Sequence, residues 1–283
     1  MSAKNQLNFV DRILRALPLA EDPVGLDRPL WRDWSKHNGY VDHAVSAANG
    51  ALGMAARAGI SWGYQDPLFD HNWVGARVNG LHRTSYHVIY AGQPVIEQAD
   101  NWYRMHPEID RIPRIIDLEV DTGVAAAQFA ETTWEMSELV LARDGVRPWL
   151  YSRYRLINLW LSPYWTQEML DSHFYILAQY LWDRTREHPG PPTLPKNVQQ
   201  KNVILHQCAD KKAGFPGECQ SAAADYDRWE LGTAADMVAW IEDHYGGGEQ
   251  PPIEPPEEVE TGWDVQWEEL DQDRVDIHVR RKS

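Results

Sequence analysis

Apolar residues recur along this chain with two different periods, and the order in which the periods alternate points to a parallel sheet wrapped by helices. From Pro29 onward, short apolar runs at Leu30 to Trp34, Ile60 to Tyr64, Thr84 to Ile89, Arg114 to Leu118 and Pro148 to Tyr151 read as strands. Between them, Ala44 to Ala58, Asp70 to Asn79, Val95 to Met105 and Ala125 to Asp144 read as helices. This alternation builds crossover units on a parallel sheet, the α/β class, and five units are visible. After Trp160 the rhythm changes. Phe174 to Gln179 and Val203 to Gln207 read as strands, but Pro189, Gly190, Pro191, Pro192 and Pro195 between them make a loop and not a crossover helix. A strand-like piece at Ala223 to Tyr226 precedes a last helix from Ala234 to His244. The barrel is therefore expected to close with hairpins.

Outside this body, Phe9, Ile13, Leu14 and Leu17 fall at helical spacing within Asn8 to Leu19, an amphipathic helix in an extension covering residues 1–28. The barrel spans 29–245. Residues 246–260 are rich in Gly, Pro and Glu and read as a linker, having almost nothing apolar to bury. In 261–283, Trp263, Val265, Trp267, Val275, Ile277 and Val279 alternate with polar residues, the pattern of a β-hairpin or of a segment that orders on a protein partner.

A length of 283 residues fits one α/β barrel with tails. The formal charge of −15 leaves no Lys/Arg stripe to neutralise phosphates and excludes a nucleic-acid binder. Much of that charge is terminal, since Gly247 to Ser283 holds 11 acidic residues against 4 basic ones. No apolar run approaches bilayer-spanning length and the first residues carry no uninterrupted apolar leader, so neither a membrane nor a Sec-type signal is expected. Cys208 and Cys219 are too few for a disulfide framework and are expected to be unpaired thiols. The 14 Trp and 12 Tyr against 5 Phe suit either carbohydrate stacking or wet interfaces.

Asp117 and Glu119 end the strand Ile115-Ile116-Asp117-Leu118-Glu119, and period-two geometry turns both carboxylates to one side. In a parallel barrel the C-terminal strand ends form the active face. Crowding and partial burial there raise one carboxyl's pKa and leave a proton donor beside an ionised partner, the division of labour that glycosidic cleavage needs. Asp33 ends the first strand ahead of a polar turn, Ser35, His37, Asn38 and Gly39, at the same mouth. Asp225 would complete a rim of four carboxylates from the end of the last strand, with Asp227 as its competitor two residues away. Neither a Gly-rich phosphate loop nor a Ser nucleophile elbow is present. His37, His82, His87 and His206 follow no standard metal-ligand spacing and are expected to be satisfied polar or core residues.

The segments Asp33-Trp34-Ser35-Lys36-His37-Asn38-Gly39, Asp66-Pro67-Leu68-Phe69-Asp70-His71-Asn72, Tyr86-His87-Val88, Asp117-Leu118-Glu119, Trp149-Leu150-Tyr151-Ser152, Ala178-Gln179-Tyr180 and Asp225-Tyr226-Asp227 occur in this order. Together they resemble glycoside hydrolase family 25, the Chalaropsis-type lysozymes, over roughly Pro29 to His244. The resemblance implies a TIM-barrel-like, incomplete (β/α)5(β)3 fold that hydrolyses the β-1,4 bond between N-acetylmuramic acid and N-acetylglucosamine in peptidoglycan, or in a related amino-sugar polysaccharide, with no metal or cofactor. By position, Glu119 would be the general acid, and Asp117 would orient the acetamido group or stabilise the oxocarbenium-like centre. Asp33 and Asp225 would support them. Tyr86 would face the cleaved bond, while Tyr151, Gln179, Tyr180, Gln207 and Trp62 are substrate-binding candidates. Configuration would be retained; whether a carboxylate or the substrate acetamide attacks stays open.

Two departures stand out. Ile176 occupies a position where the family usually has Trp, and His206-Gln207-Cys208 stands where it often has Trp-Gln-Tyr. Losing two aromatic platforms would alter sugar binding; Trp62, Trp73, Trp102, Trp182 and Trp229 are compensating candidates, although barrel or helix packing is the favoured role for most of them. The competing reading from another class is a glycan-binding or structural part of a phage-like particle, and a third is a glycosidase acting on a different amino-sugar polymer. The absent leader fits a phage lysin, a virion component or non-classical export to the cell wall.

Overall fold

The computed structural model describes residues 28–106, 109–180, 191–221 and 223–246, with strands 263–271 and 274–281. The helix expected at Asn8 to Leu19, most of the linker and Trp182 lie outside the described residues.

Nine strands make the main sheet: β1 Leu30–Trp34, β2 Ala51–Ile60, β3 Tyr64–Gln65, β4 His82–Val88, β5 Ile115–Asp117, β6 Trp149–Ser152, β7 Tyr175–Ala178, β8 Val203–Ala213 and β9 Ala223–Trp229. The strands β1, β2, β4, β5, β6, β7 and β8 pair in parallel in that order. Strand β9 then runs antiparallel to both β8 and β1, closing the barrel, and β3 attaches to the end of β2. Each of the first five barrel strands is followed by helix: His43–Ala48, Phe69–Val78, Val95–Met105, Ala126–Asp144, and the pair Tyr154–Trp160 and Gln167–Asp171. Only a 3-10 turn, Gln200–Asn202, separates β7 from β8 within the described residues, and a hairpin joins β8 to β9. This is the incomplete (β/α)5(β)3 barrel.

One stretch departs from the sequence reading. Residues 44 to 58 are not a single helix: it ends at Ala48, Gly50 turns at φ 89°, and Ala51–Ile60 form β2, so that Ile60 to Tyr64 is the end of a strand and a turn. Ala-rich sequence favours helix locally, but β2 is buried along most of its length and needs small residues. A Cβ on Gly53 would lie 2.4 Å from the Trp31 ring. Tertiary packing overrides local preference here. The helices Tyr154–Trp160 and Gln167–Asp171 were also not expected; each spans two turns or fewer, too short to display a periodic face.

Two cores follow from the barrel. Between sheet and helices lie residues such as Phe129, which stacks on Trp160 at 4.0 Å, and Trp102, which donates to Ser85 Oγ at 2.9 Å. Inside the barrel, Trp31, Trp149 and Trp229 fill the N-terminal end of the parallel strands, and helix Ala234–Tyr245 packs beneath them. The Trp31 Nε1–H donates to Met237 Sδ at 3.1 Å, and Trp149 Nε1–H donates to Tyr245 Oη at 3.0 Å. Rings of this size each remove about 150–250 Å² from water, so this end is sealed. No described helix is long and apolar enough to cross a membrane.

The segment 249–283 separates as its own compact unit. There, β10 Trp263–Asp271 pairs antiparallel with β11 Arg274–Arg281, Trp267 opposite Ile277 and Val265 opposite Val279.

Candidate active site

The strands that are sealed by tryptophan at one end open at the other into a groove of about 530 Å³. Its walls follow from period two: two residues beyond Trp31 on β1 comes Asp33, two beyond Ile115 on β5 comes Asp117, and two beyond Trp149 on β6 comes Tyr151. One further step along β5 and β6 brings Glu119 and Arg153 to the rim. The register aligns Asp117 with Tyr151, and Leu118 N–H donates to the Tyr151 carbonyl at 2.9 Å, so Glu119 and Arg153 are neighbours around the mouth.

Asp33, Asp117, Glu119 and Asp225 all line this groove, as do Tyr86, Tyr151, Tyr180 and Gln207. Asp225 reaches it for a reason different from the one expected. It sits near the beginning of β9, not its end, and faces the mouth because β9 runs antiparallel. Asp227, two residues on, points the same way and lines the groove as well. Arg32 fixes this strand by donating to the Asp225 carbonyl at 2.9 Å while forking onto both oxygens of buried Glu218 at 3.0 and 2.7 Å.

Gln179 and Trp62 are not brought into the groove. The Gln179 side chain is engaged by Thr193, accepting from its N–H at 2.6 Å and donating to its hydroxyl at 3.1 Å. Trp62 sits exposed on the turn after β2. Trp73, Trp102 and Trp229 pack in the body and supply no groove platform. The two family departures also separate. Ile176 does line the groove floor, whereas His206 and Cys208 alternate away from it because Gln207 points in. His206 Nε2–H donates to the Gln179 carbonyl at 2.8 Å and Cys208 Sγ to the Tyr226 carbonyl at 3.3 Å. Only the Ile176 change therefore alters the wall.

The expected histidines stay apart. His87 donates to the Ser61 carbonyl at 2.8 Å and stacks on Trp102, and burial lowers its pKa to about 4. His37 alone of the four lines the rim. Among the described residues no group of His, Cys, Asp and Glu is arranged to hold a metal ion. Both cysteines are unpaired thiols.

Beneath the rim runs a chain of hydrogen bonds. The Tyr151 hydroxyl donates to Gln207 Oε1 at 2.7 Å, Gln207 Nε2 donates to Asp33 Oδ2 at 2.8 Å, and Asp33 shares a further bond with Asp227. Burial, together with the charges of Asp225 and Asp227, raises the Asp33 pKa well above the usual carboxylate range. Burial and Asp225 raise Asp227 to about 7. Two carboxyls so close cannot both ionise cheaply, and a shared proton is the low-energy state.

The second carboxyl pair is Asp117 with Glu119. Asp117 is 4 % exposed and its Oδ1 has no hydrogen-bond partner. Burial raises its pKa first and the Glu119 charge second, while Arg57 opposes them. Glu119 stands at the exposed rim, yet its pKa is also raised by desolvation; Asp225 adds to the rise, and Arg153 and Arg57 counter it. Arg57 itself is held by Asp66, Nε to Oδ2 at 2.7 Å.

Lining residues that escaped the sequence reading include Arg57, Arg153 and Asp210. Arg57 was hidden in the segment read as helix. Arg153 follows Tyr151 by the same two-residue step that links Asp117 to Glu119, a usable signal. Asp210 lies three residues beyond Gln207, because the β8 register shifts there, and strict alternation misses it.

Residues 32–213 match glycosyl hydrolases family 25. The structure is similar to a bacterial lysozyme from Streptomyces coelicolor, with TM-score 0.65 and 18% identity over 76% of this chain and 97% of that one. It is similar also to a family GH25 lysozyme from Aspergillus fumigatus (TM-score 0.63, 19% identity, 76% of this chain and 99% of the other). A spore cortex lytic enzyme from Clostridium perfringens aligns with TM-score 0.58 and 17% identity over 72% and 67%. No curated protein matches the sequence.

Proposed function

The chain belongs to glycosyl hydrolase family 25 and is a glycoside hydrolase, and on that premise we propose that it is a peptidoglycan muramidase cutting the β-1,4 bond between N-acetylmuramic acid and N-acetylglucosamine. The observation that carries this reading is the convergence of Asp33, Asp117, Glu119 and Asp225 on one open groove over an aromatic and polar floor. Glu119 is the general acid, giving its proton to the bridging oxygen as the glycosidic bond breaks and recovering one from the water that completes hydrolysis. Asp117 is the stabilising carboxylate.

Both members of the pair hold protons more tightly than ordinary carboxyls, Asp117 through burial and the charge of Glu119. Substrate redistributes them. A sugar laid over Glu119 removes its water and strengthens its hold on the proton, while an acetamido N–H donated to the unpartnered Asp117 Oδ1 favours the ion there. Asp33 and Asp227, sharing a proton beneath, keep Gln207 and Tyr151 oriented, and Tyr86 borders the scissile bond. Under this reading the enzyme acts on the cell wall. Lysis of purified walls by Glu119→Gln tests it: the variant is expected to be inactive, and full retained activity contradicts the assignment.

A second role belongs to residues 261–283, whose strands β10 and β11 form a two-stranded unit. Such a hairpin alone is marginally stable in water, so we assign it a protein partner. Native mass of the full chain and of a chain ending at Tyr245 is expected to show an assembly that only the full chain forms; two monomers contradict it.

A further inference from the structure

Six carboxylates line the groove, Asp33, Asp117, Glu119, Asp210, Asp225 and Asp227, on a chain of formal charge −15. An anionic glycan approaching such a groove is repelled unless a cation meets it. Three arginines line the groove. Arg32 is buried and forked onto Glu218, and Arg57 is buried and held through Nε by Asp66, its unpartnered Nη2 shielded from solvent, so neither is exposed at the rim.

Arg153 differs from both. It is exposed at the rim, and among the described residues no carboxylate lies within ion-pair distance of its guanidinium. Tyr180 holds it instead: Arg153 donates to the phenol oxygen, with its guanidinium carbon 5.5 Å from the ring centroid. Strand register places it beside Glu119 at the mouth. A tethered, planar, permanently charged fork with free donors matches carboxylate geometry.

We propose that Arg153 is a specificity-determining residue that binds a carboxylate on the substrate's substituents, next to the bond that is cut. The proposal rests on the muramidase reading, in which every second sugar carries a lactyl ether whose acid is either free or converted to the amide of a stem peptide that has carboxylates of its own. Both sources present a carboxylate. Arg153 selects wall glycan over uncharged amino-sugar polymers, supplying at the rim what the Ile176 floor does not.

Three oligosaccharides of alternating N-acetylglucosamine and N-acetylmuramic acid test this: one with free lactyl acids, one with those acids as methylamides, and one with an acidic stem peptide in amide linkage. Wild-type enzyme is expected to show kcat/KM about tenfold higher on at least one charged substrate than on the methylamide, chiefly through KM. Arg153→Gln is expected to bring that ratio near one, and Arg153→Lys to keep part of it. Because the Arg153 charge also bears on the Glu119 pKa, the ratio at one pH is the readout, since that influence acts alike on all three substrates. Which charged substrate is favoured identifies the source. An unchanged ratio in Arg153→Gln, or no preference in wild type, overturns the inference. Failure of wild type to cleave any of the three instead overturns the muramidase reading, and the inference with it.

Discussion

At the closed end of the barrel the inward positions hold Trp31, Trp149 and Trp229; at the open end, one two-residue step along the same strands, they hold Asp33, Tyr151 and Asp227. Period-two geometry treats the two ends alike, so the difference is entirely in the residues written there. Indole rings over helix Ala234–Tyr245, those of Trp31 and Trp149 with partnered N–H groups, exclude water and stabilise the fold. At the mouth, carboxyls are desolvated, crowded and partly unpartnered. That arrangement costs stability, as buried polar groups without partners do. The barrel's sealed end offsets what the mouth gives up, and mutations at the two ends should separate stability from turnover.

The largest separation is expected from Glu119→Gln, which removes the proposed general acid and should lower kcat by about a thousandfold or more. Its thermal midpoint should be unchanged or higher, because the variant no longer sets a charge against Asp117. Unfolding of the variant at ordinary temperature would break the comparison. Trp149→Ala, at the sealed end, is expected to do the reverse. It empties a fully buried site and removes the bond to Tyr245, costing about 3–5 kcal/mol in denaturant melts, while kcat per folded molecule is retained.

Asp227→Asn sharpens the contrast through pH. The folded pKa of about 7 stands above the ordinary 3.8, so the folded state binds more protons in between, and wild-type stability falls as pH rises from about 4 to 7. The variant should lose part of that fall. Thermal midpoints measured across this window check it, and an equally steep fall in Asp227→Asn would show that Asp227 is not among its causes. Trp62→Ala marks the lower bound: exposed on its turn and outside the groove, it should shift stability by no more than about 0.5 kcal/mol and leave kcat/KM unaltered.

The catalytic candidates were legible because acids at strand ends break an apolar run at a place where core packing does not call for them. Asp33, Asp117 and Glu119 stand out that way, and Asp225 was found although its strand runs opposite to the direction expected. Legibility failed where packing or irregularity replaced pattern. The small residues of β2 mimic a helix until Trp31 is known to press on Gly53. Asp210 sits past a register shift that moves it off the two-residue count. His206 and Cys208 looked like losses from the sugar-binding wall, but alternation around Gln207 turns them into the packing outside the barrel.

The central claim, that this mouth cuts the muramic acid side of the wall glycan, is tested most directly by the new ends it creates. Purified peptidoglycan digested with the enzyme and reduced with borohydride should yield fragments ending in reduced N-acetylmuramic acid, by mass spectrometry. Fragments ending in reduced N-acetylglucosamine, or no new reducing ends at all, would contradict it.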